Sequence, residues 1–192
     1  MTTVTSDELK VRILDEAAKW FDSKGTRFTM DDLARSLGMS KKTIYTVFRD
    51  KRSIMIETID RFFDDALAEE KSIIADENLN TVEKLLKVIG RVPERYVHTD
   101  LSQLSVLKEK YPSVYKHWKS CRESYWFGAE ALLKQGIEEG SIRPISLTIF
   151  KTMFQSTIET FFQKDVLVNN KISYQDALAE VASILVNGII IK

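Results

Sequence analysis

Residues Met30 to Arg49 read MDDLARSLGMSKKTIYTVFR. Two short helices joined by a tight turn fit this stretch, and the spacing meets the demands of a helix-turn-helix. The first helix needs a small residue where the second crosses it, and Ala34 stands there. The turn needs a residue tolerant of positive φ, and Gly38 follows four positions later. Ile44 and Val47 give the second helix an apolar face, and Leu33, Leu37 and Met39 complete the wedge. Ser40, Lys41, Lys42, Thr43 and Thr46 are left to point outward. An ordinary tight helical hairpin is the competing reading.

Charge favours the first reading. The chain has 28 Lys and Arg against 28 Asp and Glu, for a net charge of zero. Between Arg35 and Arg52, however, Arg35, Lys41, Lys42, Arg49, Lys51 and Arg52 face the single acid Asp50. Local positive charge beside exposed hydroxyls is what phosphate contact requires. Arg49 and Arg52 read equally well as part of a solvated face.

The same punctuation extends outward. Leu9, Ile13, Ala17 and Phe21 recur every fourth residue, so a helix from Asp7 to Ser23 with one buried stripe is expected, closed by Gly25. Thr29 and Ser40 are caps for the two short helices. Further helices are expected from Asp50 to Ile74, Thr81 to His98, Leu101 to Lys110, Pro112 to Gly140, Leu147 to Val168 and Ser173 to Ile190. Three prolines and seven glycines separate them, and no alternating strand pattern appears. The fold class is therefore all-α, with about nine helices. Residues 1–50 form a three-helix DNA-binding domain and residues 51–192 a helical regulatory and dimerisation domain, with no flexible linker between them.

Other function classes find little support. One cysteine, Cys121, excludes an internal disulfide framework and a cysteine-rich zinc site. His98 and His117 are the only histidines, and neither follows a glutamate by three residues. No phosphate-binding glycine loop or nucleophile elbow occurs, so no catalytic residue, metal or cofactor is expected. No cleavable leader and no membrane span are apparent, which places the chain in the cytoplasm. A non-DNA-binding interaction module of the same fold and, more remotely, a helical enzyme remain as alternatives. Lys41, Lys42 and Lys51 argue against the former.

The N-terminal segment resembles the TetR family of bacterial regulators. Ile13-Leu14, Ala17-Ala18, Phe21, Gly25, Thr29, Leu33-Ala34, Leu37-Gly38, Met39-Ser40, Thr43-Ile44-Tyr45, Phe48 and Lys51 carry the resemblance. Met39 stands where valine is commoner and Ile44 where leucine is common; both keep the apolar character. The resemblance implies that the helix beginning at Lys41 enters the major groove. It makes Lys41, Lys42, Thr43 and Thr46 candidates for base edges. It implies phosphate contacts for Tyr45, Thr29 and Lys51, with Arg27 a weaker one, and Ser40 at the start of the same helix. A core role for Tyr45 is the alternative. The partners implied are double-stranded DNA with a near-palindromic operator, a second copy of the chain and an unknown small-molecule effector. A repressor released by that effector is the commoner behaviour in the family.

The C-terminal part offers two further groups. Trp118, Cys121, Arg122, Tyr125 and Trp126, with Phe150 and Phe154, form an aromatic and polar set of the kind that lines small-molecule sites. Plain core is the competing reading, and the set leans toward an apolar or aromatic ligand. Phe150, Met153, Thr157, Ile158 and Phe161 on one helix, and Ala177, Val181, Ile184, Leu185 and Gly188 on the last, are the expected dimer face. Paired across two chains they would make a four-helix bundle.

Overall fold

The computed structural model describes residues 5–93, 104–163 and 166–191. Ten α-helices and no strand occur among the described residues. They are α1 (Ser6–Lys24), α2 (Met30–Ser36), α3 (Lys41–Tyr45), α4 (Lys51–Ala75), α5 (Thr81–Ile89), α6 (Leu104–Lys110), α7 (Pro112–Glu138), α8 (Leu147–Gln163), α9 (Val166–Asn170) and α10 (Tyr174–Asn187). By compactness the described chain divides into two units, one within Met1–Phe62 and His98–Ser120, the other within Phe63–Val97 and Cys121–Lys192. Helices α4 and α7 each contribute residues to both.

In the first unit α1, α2 and α3 are each opened by a side chain. Thr5 and Glu8 form a reciprocal capping box at α1, and Thr29 and Asp32 form another at α2. The Ser40 hydroxyl accepts from the Thr43 N–H at 3.1 Å and opens α3. Gly25 and Gly38 take φ of 57° and 65°, so both turns use the left-handed region that glycine reaches without strain. The helices close on one core of Ile13, Leu14, Ala17, Phe28, Leu33, Ala34, Ile44, Phe48 and Ile54. Burying each large member stabilises by about 1.5–3 kcal/mol. Helix α3 is shorter than its pattern suggested. Its backbone turns after Tyr45, with the Val47 and Phe48 N–H groups both donating to the Ile44 carbonyl at 3.0 and 2.9 Å. That turn drives the Phe48 ring into the core. Asp50 then accepts from the Ser53 N–H at 2.8 Å and starts α4.

The second unit has its own core, where Leu85, Val88 and Ile89 of α5, Trp126, Ala129, Leu132 and Leu133 of α7, Phe150 of α8 and Ala182 and Val186 of α10 meet. An Asn80–Glu83 capping box opens α5. The helix ends at Gly90, short of the expected His98, and residues 94–103 lie outside the described ones, as does the expected start at Leu101. A Cβ at Gly90 would stand 3.2 Å from that of Ala182, so the end of α5 lies tightly on α10. Gln175 fixes the approach. It donates to the Gly90 carbonyl at 3.0 Å and accepts from the Val92 N–H at 2.8 Å. The expected helix from Leu147 to Val168 is resolved as α8 and α9, with 164–165 outside the described residues.

Candidate functional site

Periodicity decides which side chains α3 can present. Ile44 is fully buried, and with Phe48 and the partly buried Val47 it holds the helix down. Ser40, Lys41, Lys42, Tyr45 and Thr46 are exposed, and Thr43 is half-buried. Tyr45 keeps half its surface in solvent, so the core role considered for it does not apply. These residues form one polar face with two lysines at its N-terminal end.

Several of the face's groups are already engaged. The Ser40 and Thr43 hydroxyls lie 2.9 Å apart, and the Thr46 hydroxyl donates to the Thr43 carbonyl at 2.6 Å. These bonds fix the side chains and leave lone pairs and methyl groups outward. Lys41 Nζ pairs with Asp31 at 3.0 Å, and that carboxylate raises the lysine's pKa. Among the described residues the Lys42 and Tyr45 side chains make no hydrogen bond or ion pair. They are the two groups best placed to take a new partner.

The proposed flanking contacts are placed differently from one another. Arg27 is exposed at the end of a 3-10 turn (Gly25–Arg27). Thr29 is exposed, but its hydroxyl donates to Asp32 at 2.8 Å and accepts from the Asp32 N–H at 3.1 Å. The hydroxyl's bond and a second from the Thr29 N–H, which donates to the carboxylate at 2.8 Å, hold the Asp32 carboxyl below its usual range. Lys51 turns inward. Its ammonium donates to the Thr26 carbonyl at 2.6 Å and to the Phe28 carbonyl, and it lies 4.2 Å from the Phe28 ring centroid. Tyr111 stands 5.5 Å from it on another side. Desolvation pushes its pKa down. Sequence reading missed Phe28, which is buried at the centre of this arrangement and meets Phe21 edge-on at 5.1 Å. Its place between Arg27 and Thr29 had made it look like loop.

Trp118 stacks on Tyr115 at 5.7 Å in the first unit. Trp126, Phe150 and Phe154 do come together in the second, with centroids at 6.4 and 5.5 Å from Trp126. Tyr125 meets Phe63 instead, at 6.1 Å. Cys121 is a free thiol and, like Arg122, half-buried. The Trp126 indole N–H has no acceptor among the described residues. His117 lies 2.6 Å from Asp60, and His98 lies outside the described residues.

The residues expected at the dimer face differ in exposure. Phe150, Ile158 and Ala177 are buried within the chain's own second unit and offer no surface to a partner. Residues 150 and 153 lie about 60° apart around the α8 axis, and the border between its buried and exposed sides falls between them. Met153 and Ile184 are 52% and 61% exposed, and Gly188 is exposed beside them in the sequence of α10's end. Thr157, Phe161, Val181 and Leu185 are half-buried. Ile149, 59% exposed and one turn before Met153, was missed. The i, i+4 spacing of two large apolar residues was the available signal.

Comparison with known proteins places these features. The family model described as bacterial regulatory proteins, tetR family, matches residues 13–58. An uncharacterised HTH-type transcriptional regulator of Bacillus subtilis, YvaF, is 26% identical over 178 residues, covering 93% of this chain and 94% of that protein. A transcriptional regulator from Saccharomonospora viridis, solved in complex with choline, superposes with a TM-score of 0.76 at 18% identity over 97% of this chain and all of the other. The regulator FadR from Bacillus subtilis, solved with stearoyl-CoA, gives 0.64 at 22% identity, covering 93% and 98%. No helix among the described residues is long and apolar enough to cross a membrane.

Proposed function

We propose that this chain, whose residues 13–58 match the tetR-family model of bacterial regulatory proteins, is a dimeric TetR-family repressor released from its operator by a small-molecule effector. Residues 1–50 hold the DNA-reading part and 51–192 the sensing and pairing part. The observation that carries the reading is the polar face of α3, exposed at Ser40, Lys41, Lys42, Tyr45 and Thr46 over a helix anchored by buried Ile44. Lys42, Thr43 and Thr46 read base edges, with Lys41 reaching them after release from Asp31. Tyr45, Arg27 and Ser40 meet phosphates, and Thr29 sits at the start of α2 beside them. Lys51 holds the carbonyls of Thr26 and Phe28 and so positions Arg27 and Thr29.

Two copies would set recognition helices about 34–36 Å apart on a near-palindrome. The exposed Ile149, Met153 and Ile184 support α8 and α10 as the pairing helices. Ligand-bound structural neighbours support an effector, whose coupling to DNA affinity is about 1–3 kcal/mol in such systems. A regulator of this kind acts in the cytoplasm and catalyses nothing.

Fluorescence anisotropy on DNA from upstream of the chain's own gene, against scrambled DNA at several salt concentrations, tests the reading. Specific binding that weakens steeply with salt is expected, and the slope counts phosphate contacts. Equal weak binding to both DNAs, followed by a random-sequence selection that enriches nothing, overturns it.

A further inference from the structure

Resting on the effector-responsive reading, we propose that the effector is an organic cation and that Glu70 selects it. On α4, Phe63, Ala66 and Glu70 recur on one face, and all three are buried; Glu70 is only 5% exposed. Across from them stand Tyr125 and Gly128 of α7. A Cβ built on Gly128 would fall inside the Glu70 Oε1 atom and 2.5 Å from its Cδ. The carboxyl therefore lies directly on the α7 backbone, in the space a side chain would fill. Its second oxygen, Oε2, is buried and has no hydrogen-bond partner among the described residues.

A carboxylate in such surroundings calls for a positive partner, because an ionised group buried without one is strongly disfavoured. Among the described residues none donates a hydrogen bond to Oε2. Arg91 pairs with the neighbouring Glu69, at 3.4 Å. An anion at this place would meet Glu70 and Glu69 together. A neutral molecule without a donor would leave Oε2 orphaned. An ammonium or amidinium satisfies it, and aromatic faces attract the same charge. Tyr125, which lies near Glu70, meets Phe63 with ring centroids 6.1 Å apart and so adds aromatic character to the site. Tyr125 is close enough to Glu70 for that charge, after burial itself, to push the phenol's pKa up. The aromatic character expected of the ligand is kept, and a charge is added to it.

The test uses the full chain and isothermal titration with benzylammonium, hexylammonium and benzamidine, with benzyl methyl ether and benzoate as neutral and anionic controls. Saturable binding of at least one cation, and of neither control, is expected. Glu70→Gln should weaken that cation by about 30-fold or more, with an unchanged circular dichroism spectrum and a melting midpoint no lower than wild type. Equal affinity in E70Q, preference for benzoate, or no saturable cation binding overturns the site. The same preparations are titrated onto operator DNA. Specific DNA binding without cation uptake overturns the cation site and leaves the regulator standing. Cation uptake through Glu70 with no DNA binding supports the site and overturns the regulator.

Discussion

Lys51 and Glu70 are charges of opposite sign, both withdrawn from water on the same helix, and the fold treats them in opposite ways. Lys51 is met by two carbonyls, those of Thr26 and Phe28, and by the Phe28 ring. Glu70 is set against the backbone at Gly128, and its Oε2 finds no donor. In both cases burial disfavours the charged form, lowering the lysine's pKa and raising the carboxyl's. The difference lies in the partner. A buried charge with its partners in place is part of the architecture, and one without them lowers stability until something else arrives.

The largest expected effect is at the partnered charge. Lys51→Met keeps the length of the side chain but removes its donors, leaving the Thr26 and Phe28 carbonyls without their bonds. A loss of about 2–3 kcal/mol in urea unfolding is expected. DNA affinity should fall with it, because Arg27 and Thr29 flank the released carbonyls. A Lys51→Met protein as stable as wild type would make the inward lysine incidental and return it to the surface as a phosphate contact.

Gly128 comes next. Glycine in the middle of α7 is unfavourable by about 1 kcal/mol relative to alanine, so Gly128→Ala alone should help a helix with free space beside it. Here the added methyl meets the Glu70 carboxyl, and a loss of about 1–3 kcal/mol is expected from overpacking. In a Glu70→Ala background the sign should reverse to a gain of up to about 1 kcal/mol. Thermal or urea melts of the four proteins in this cycle decide it. Additive effects would mean that the two residues do not share that space.

How far these features were legible follows from distance in sequence. The helix-turn-helix was readable because Ala34, Gly38 and Ile44 lie within one short window and each is required by a local rule. The caps at Thr29, Ser40 and Ser173 were readable for the same reason. Lys51 was not, because its inward turn depends on carbonyls more than twenty residues earlier. Glu70 was hidden by its neighbour: the pair Glu69-Glu70 reads as a solvated face, and only the missing side chain at Gly128 makes room for one of them inside. On α8 the apolar residues cover more than one face, so composition identified the helix but not the side it offers, and Phe150 was assigned outward when it belongs to the core.

Glu70→Gln is a smaller and more specific perturbation. The raised pKa of Glu70 means that the folded chain keeps this proton at a pH where the unfolded chain, with an ordinary value near 4.5, has released it. Between those two values the folded state binds more protons, so stability falls as pH rises. The glutamine cannot titrate. It should therefore be more stable than wild type at neutral pH, by about 1 kcal/mol, and indistinguishable from it below the ordinary carboxylate range. Urea midpoints measured across pH 4 to 8 test the sign. A wild-type advantage at neutral pH would show that Glu70 is ionised and already satisfied.

The same distinction operates on the exposed surface with the smallest effect. Lys41 has a partner in Asp31, whereas Lys42, one position on, has none among the described residues. DNA must compete with Asp31 for Lys41, although an exposed pair of this kind holds only weakly. Lys42 meets phosphate or base with no such competition. Lys42→Ala should therefore lower operator affinity more than Lys41→Ala. If it contacts phosphate it should also reduce the slope of log affinity against log salt by about one. If it reads a base, the slope should hold and discrimination against scrambled DNA should fall instead. Asp31→Asn sharpens the comparison further: freeing Lys41 should strengthen DNA binding in an otherwise wild-type chain and do nothing once Lys41 is alanine. An Asp31→Asn effect that survives in the Lys41→Ala background would mean that the carboxylate acts on DNA directly, by repulsion, and that the ion pair is not what holds Lys41 back.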